Sequence, residues 1–208
     1  MKEKDLQSEI NHIRALMDRS TKFIPLSGLS GIMVGIYAFS GAGLIWLLLQ
    51  QHGISLIGYS TDSFKLPDEV VFQIYLIALG VLLLSVATAM WLTIRKIVGR
   101  GENFRSPGRK ELLNRMAVPL ISGGLLLNIF LFRGEFYYLA PVSLIFYGLA
   151  LVTGSYYIIS LVKYLGYSQI VLGLLAALFP AHGLICWIAG FGLLHIIYGS
   201  ILYYKYER

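Results

Sequence analysis

Long apolar stretches, separated by short polar ones, make up most of this chain from Ile24 to Tyr204. They approach or exceed the roughly 20 residues that a helix needs to cross a bilayer, and none of them contains Asp, Glu, Lys or Arg. Backbone groups in hydrocarbon must bond within the chain, and the short alternating strands of a barrel are absent, so the stretches are predicted to be transmembrane helices. The predicted spans are 24–49, 70–94, 116–132, 136–162, 167–181 and 184–204.

The spans are predicted to pair as antiparallel hairpins. The turns 133–135 and 180–183, which follow the third and fifth spans, are tight, and tight turns force neighbouring helices to run antiparallel. The odd spans also begin alike: 22–28 resembles 116–123, and 167–173 is a weaker third copy. We predict three hairpin repeats of equal orientation. The alternative is that transmembrane hairpins in general share a proline at the entry, an internal glycine and a basic exit.

The basic residues predict the orientation of the helices. Fifteen of the 17 Lys and Arg residues lie in the N-terminal segment, in the 95–115 loop, at Lys163 or after the last span. With six spans all of these fall on one side, and only Lys65 and Arg133 fall on the other. Positively charged loops stay in the cytoplasm, so both termini are predicted to be cytoplasmic.

Residues 1–22 form a separate polar segment before the 23–208 transmembrane domain. Leu6, Ile10, Ile13 and Met17 recur at helical spacing, which predicts a short amphipathic helix. Its apolar stripe fits three roles: a cap on the protein's own cytoplasmic face, a seam with a second copy, or an anchor on the membrane surface.

Glycines in the first span predict close helix contacts. Gly28, Gly31 and Gly35 follow the small-residue spacing that lets two helix backbones approach. Tight packing within the chain is one reading, and a homodimer face on the first helix is the other.

The composition excludes several classes of protein. Apolar residues make up 57% of the chain and charged residues 13%, so membrane lipid is its natural surrounding. The net charge of +6 follows the topology rather than a soluble surface, so nucleic-acid binding has no support. The basic loop 97–111 fits anionic lipid headgroups or a cytoplasmic partner, although topology alone also explains it. Cys186 is the only cysteine, which excludes an internal disulfide.

A small group of polar residues inside the spans is the candidate binding site. Polar side chains are costly in the membrane and often functional there, and His195 lies near the middle of the sixth span. Such residues form either a ligand pocket or hydrogen bonds between helices, worth under about 2 kcal/mol each. The candidate ligand-binding residues are His195, Asn128, Thr153, Ser85, Tyr147 and Tyr198.

The sequence contains no motif that indicates catalysis or a cofactor. A two-haem site needs a second helix with a matching pair of histidines, whereas His12 and His52 lie in the tail and an outer loop. There is no His-Glu-x-x-His motif and no serine in a nucleophile-elbow setting. We therefore predict no enzyme, no metal site and no cofactor.

Four stretches of the sequence resemble a family of small, uncharacterised six-helix integral membrane proteins of bacteria. They are Phe23-Ile-Pro-Leu-Ser-Gly-Leu-Ser-Gly-Ile-Met-Val-Gly-Ile-Tyr37, Glu111-Leu-Leu-Asn-Arg-Met-Ala-Val-Pro-Leu-Ile-Ser-Gly123, Leu144-Ile-Phe-Tyr-Gly-Leu-Ala-Leu-Val152 and Gly190-Phe-Gly-Leu-Leu-His-Ile-Ile-Tyr-Gly199. The resemblance implies an inner-membrane location and no particular activity. Two functions stay open: binding or transport of a neutral or amphipathic small molecule, and a non-catalytic scaffold or sensor acting through the N-terminal helix and the basic loop.

Overall fold

The described part of the chain is helical throughout its long segments. The computed structural model describes residues 27–54, 66–99, 107–158 and 160–207. Six helical stretches in these residues are long and apolar enough to cross a membrane, which confirms the predicted all-α membrane class. The first five helices are α1 (Gly28–Gln51), α2 (Asp68–Gly99), α3 (Pro107–Phe132), α4 (Leu139–Gly154) and α5 (Leu161–Leu178). The predicted amphipathic helix of residues 1–22 lies outside the described residues.

The sixth span, Pro180–Lys205, is not one regular helix. It opens with a 3₁₀ turn and continues as a short α-helix, a π-helical segment and a longer α-helix. These segments are Pro180–His182, α6 (Gly183–Trp187), the π segment (Ile188–Leu194) and α7 (His195–Tyr206). A π-helix is wider than an α-helix and occurs frequently at functional sites.

The predicted boundary between the fourth and fifth spans is wrong. The fourth helix ends at Gly154 instead of residue 162, and the fifth begins at Leu161 instead of residue 167. Ser155 ends α4 by donating its hydroxyl to the carbonyl of Val152 at 2.6 Å, which competes with helical bonding. The residues of this turn are mostly apolar, so hydropathy alone could not separate the two helices.

The tight turn after the third span is present as predicted. Gly134 has a φ of +75°, a conformation that glycine adopts without a steric penalty. The N–H of Glu135 then bonds the carbonyl of Phe130 at 2.8 Å, which satisfies one of the free carbonyls at the end of α3.

The six spans pack as two groups of three. The first group contains α1, with α2 on one side and the sixth span on the other, and the second contains α4 between α3 and α5. The sixth span also contacts α4 and α5 and so joins the two groups. Helices of each predicted hairpin do touch, but the contacts of α4 with α5 and of α1 with the sixth span are the more extensive. The three-hairpin repeat stays a prediction.

Close packing of α1 on the sixth span depends on glycine. A Cβ atom added at Gly199 would lie 2.6 Å from both the Gly28 carbonyl oxygen and the Ile32 nitrogen. A Cβ at Gly35 would lie 2.6 Å from the Gly192 carbonyl oxygen. The first-span glycines predicted from their spacing therefore pack within the chain, against a helix at the other end of the sequence.

The two ends of the described chain meet at one face of the bundle, which we call the terminal face. Glu207 accepts a hydrogen bond from the Gly28 N–H at 2.8 Å and another from the Ser27 hydroxyl at 3.3 Å. The same carboxylate lies 2.6 Å from the Lys96 ammonium at the end of α2. This clamp ties α1, α2 and α7 together, and its carboxylate lies at the positive end of the α1 dipole.

Helices α2 and α3 contribute little to the interior. Only Val70 and Ile97 of α2 are buried, and large apolar side chains such as Leu83 and Leu125 are exposed. Exposed apolar area of this extent is expected only against another apolar surface, and it fits helices that face membrane lipid.

Candidate functional site

One buried histidine of the sixth span bonds to groups on both sides of its ring. His195 is only 4% exposed. Its Nε2 lies 2.8 Å from the hydroxyl oxygen of Tyr147 on α4, and its Nδ1 lies 3.0 Å from the carbonyl oxygen of Gly190. A carbonyl oxygen only accepts, so Nδ1 is assigned the proton, and a neutral ring then accepts from Tyr147 through Nε2.

Gln169 of α5 bonds the same carbonyl. Its Nε2 donates to the Gly190 oxygen at 2.9 Å and lies 3.5 Å from Nδ1 of His195. With the proton on Nδ1, both of these nitrogens are donors, so the 3.5 Å separation is a contact rather than a bond. Tyr147, Gln169, Gly190 and His195 form what we call the His195 network. It lies near the middle of three helical spans.

The π segment brings the Gly190 carbonyl to these side chains. Gly190 lies in the segment itself, and a Cβ added there would lie 2.5 Å from both Oε1 of Gln169 and Cδ2 of Leu144. A Cβ at Gly192 would lie 2.8 Å from the ring of Phe39. The two glycines thus let the widened helix contact α5 on one side and α1 on the other.

Aromatic rings surround the His195 network. The ring of Phe191 stacks 5.8 Å from that of His195 and lies 5.1 Å from those of Tyr147 and Trp187. Aromatic pairs at such distances pack favourably in offset or tilted arrangements. The rings fill the space beside His195 and leave both of its nitrogens bonded to the protein.

The structure brings together two of the six predicted site residues, His195 and Tyr147. Tyr198 lies one turn further along α7, in an apolar cluster with Leu151 and Leu202. Its burial was expected from its depth in the span.

The other three predicted residues lie elsewhere. Asn128 is exposed on α3 and donates to the Gly124 carbonyl of its own helix at 2.8 Å. Thr153 bonds the Leu149 and Ala150 carbonyls of α4, both at 3.0 Å, and its hydroxyl lies 3.5 Å from the Arg115 carbonyl of α3. Ser85 lies on α2, whose main contact is with α1. Bonding to the carbonyls of its own helix satisfies a polar side chain in lipid, and none of the bonds of Asn128 and Thr153 leads to His195.

Gln169 is the residue that the sequence analysis missed. The fifth span was predicted to begin at residue 167, which placed Gln169 in its first turn, near the membrane surface. Because α5 begins at Leu161, Gln169 lies in mid-helix and is fully buried. An uncharged polar residue flanked on both sides by apolar ones was the available signal.

An apolar groove lies directly beside the His195 network, between α5 and the sixth span. Its volume is about 430 Å³, within the usual range of ligand sites. It is lined by Tyr167, Ser168, Val171, Leu172, Ala189, Leu193 and Leu194. Three of these residues immediately precede Gln169, Gly190 and His195 in the sequence, so the network lies behind the floor of the groove. Val171 and Leu193 are half exposed, so the groove is open to the surrounding lipid.

A second, smaller cavity of about 280 Å³ lies at the face opposite to the terminal face, against Glu135 and Pro180. None of the residues of the His195 network lines this cavity. Among the described residues, no group of three His, Cys, Asp or Glu side chains is close enough to hold a metal ion.

Fold and site together define a six-span helical membrane protein with a neutral polar network at mid-membrane and a lipid-facing groove beside it. No protein-family model, curated protein or solved structure matches this chain.

Proposed function

We propose that this chain is a non-catalytic, multi-pass protein of the bacterial inner membrane that binds a neutral or amphipathic small molecule taken from the bilayer. The observation that supports it is the groove of about 430 Å³ between α5 and the sixth span. Its walls are almost entirely apolar, so an apolar group gains contact area there, and lateral entry from lipid requires no charged pathway.

The His195 network has a positioning role in this proposal. Both ring nitrogens of His195 are bonded within the protein, so they are not directed into the groove. Bonds from α4 and α5 hold the π segment, which forms one wall. The network thereby sets the width of the groove, because hydrogen bonds between buried polar groups of different helices favour one helix arrangement.

Binding is proposed rather than transport. At the face opposite to the terminal face, the short Pro180–His182 turn joins α5 to the sixth span and limits how far the two can separate. The terminal face is assigned to the cytoplasm, because the basic residues concentrate there. The scaffold or sensor alternative depends on residues 1–26 and 100–106, which lie outside the described residues, so it stays a prediction.

Filling the groove tests the proposed function. We expect the wild-type protein, extracted in a mild detergent, to retain a membrane-derived molecule that native mass spectrometry detects as a mass adduct. Ala189→Phe places a ring in the groove and should abolish the adduct. Ile185→Phe, at an exposed site of α6 outside the groove, should retain it.

A second variant separates blocked binding from misfolding. Val171→Trp fills the groove from the side of α5. Val171 is half exposed, so the larger side chain does not displace residues of the core. A wild-type protein without any adduct, or an adduct that survives both Ala189→Phe and Val171→Trp, would overturn the proposal.

A further inference from the structure

We propose that the occupant of the groove is an anionic phospholipid, with its phosphate at Lys163 and one acyl chain along the groove. This inference rests on the proposed function and names its ligand class. Lys163 lies one helical turn before Tyr167 on α5, and its ammonium is 5.5 Å from the centre of the Tyr167 ring. Because Tyr167 lines the groove, the charge lies at the mouth of the groove nearest the terminal face.

Lys163 has no acidic neighbour on the two helical spans that form the groove. Its side chain is exposed, and the sequence contains no Asp or Glu between residues 136 and 206. No carboxylate pairs with it among the residues that the structure describes. An uncompensated positive site favours a negative headgroup over a zwitterionic one.

The depth of the groove matches one leaflet. From Lys163 to Leu172 is nine residues, a rise of roughly 14 Å along a helix. The hydrocarbon core is about 30 Å thick, so each leaflet contributes about half of that. If the phosphate binds at Lys163, the acyl chain extends along the groove as far as Leu172 and Ala189. The groove ends there, at mid-membrane.

The polarity changes along the groove in the same order as in a phospholipid. The ammonium of Lys163 comes first, and Tyr167 and Ser168 follow with hydroxyl groups at the level of the ester linkages. Val171 and Leu172, which lie deeper on α5, then supply only apolar contacts. Tyrosine is typical of the level at which headgroup and hydrocarbon meet.

Binding of two lipids to delipidated full-length protein in detergent tests the inference. We expect native mass spectrometry to show tighter binding of phosphatidylglycerol than of phosphatidylcholine. Lys163→Gln should weaken phosphatidylglycerol binding about fivefold, the effect of one positive charge at the membrane surface, and leave phosphatidylcholine binding unchanged. Lys163→Arg should keep the preference. Lys110→Gln, at an exposed lysine near the start of α3, is the matched control and should have no effect.

The outcomes distinguish this inference from the proposed function. Equal binding of both lipids, with both lost in Ala189→Phe and Val171→Trp, would overturn the anionic headgroup but keep the groove as a binding site. An unchanged phosphatidylglycerol affinity in Lys163→Gln would also overturn the headgroup assignment. A phosphatidylglycerol preference that persists in both groove-filling variants would place the lipid elsewhere and overturn both proposals.

Discussion

The carbonyl oxygen of Gly190 is the point at which the polar side chains of the membrane interior converge. It accepts from the ring of His195 and from the amide of Gln169, which uses both of its lone pairs. Tyr147 then satisfies the remaining nitrogen of His195. Each such bond between membrane helices contributes on the order of 0.6 kcal/mol, so the network determines helix register more than overall stability.

The bond between Tyr147 and His195 can be tested by removing one oxygen atom. Tyr147→Phe keeps the ring and its contact with Phe191, but leaves Nε2 of His195 without its donor. We expect the free energy of unfolding in detergent to fall by about 1–2 kcal/mol, because a buried acceptor loses its partner. Tyr156→Phe, at a largely exposed tyrosine, should change it little. Equal values for the two variants would show that the hydroxyl of Tyr147 makes no stabilising bond.

At the scale of helices, glycine decides which pairs pack closely. Gly28, Gly31 and Gly35 meet Gly192, Ile196 and Gly199 across the contact of α1 with the sixth span. Gly148 and Gly166 serve the contact of α4 with α5 in the same way. Lipid tails are as apolar as leucine, so close backbone approach supplies much of the attraction between membrane helices. The most extensive contacts of the bundle are the ones with glycine on both helices.

Two glycine substitutions distinguish the effect of close packing on stability from the effect of helix propensity. Gly199→Ala places a Cβ against backbone atoms of α1, which cannot yield as a side chain can. We expect a loss of about 1–3 kcal/mol in the free energy of unfolding. Gly43→Ala, on the lipid side of α1 with no atom within 4 Å of the added carbon, should be neutral or slightly stabilising. A similar loss in both variants would contradict the close contact. Thermal unfolding followed by tryptophan fluorescence measures both.

At the scale of the whole molecule, the sixth span joins the two three-helix groups and the terminal clamp closes the first of them. Glu207 reaches α1 and α2 from the end of α7, and the side chains of Glu207 and Lys96 are each 12% exposed. Ser27 and Glu207, which are 180 positions apart along the chain, are thus bonded directly. Without the clamp, the ion pair that joins α2 to the end of the sixth span would be lost.

Neutralising Glu207 tests the clamp. Glu207→Gln leaves Lys96 facing an uncharged partner at a mostly buried site, and we expect the free energy of unfolding to fall by about 1–2 kcal/mol. Glu111→Gln is the control, because Glu111 pairs with Arg115 on an exposed helix surface, where such pairs contribute under about 0.5 kcal/mol. The difference between the two variants should persist in high salt, which screens exposed pairs more than buried ones. If Glu207→Gln unfolds like Glu111→Gln, the clamp does not stabilise the bundle.

The sequence by itself determined the helical class, the six spans and the tight turn at Gly134. Hydropathy averaged over a span is enough for these, because the bilayer acts on every apolar stretch in the same way. It also identified His195 and Tyr147 as polar residues at mid-membrane. It misplaced the break at Gly154, and with it Gln169, because the residues of that turn are as apolar as those of a helix.

Only the tertiary structure decided which helices pair and where the groove lies. In a soluble helix the buried face is the apolar one, but in a membrane both the lipid-facing and the protein-facing sides are apolar. The pattern along α2 therefore does not reveal that it packs mainly on α1, and nothing local to Gly190 indicates that its carbonyl meets Gln169. Asn128 and Thr153 looked like partners of His195, yet Asn128 bonds its own helix, and Thr153 bonds its own helix and contacts α3. These pairings depend on contacts between residues far apart in sequence, which the order of residues does not display.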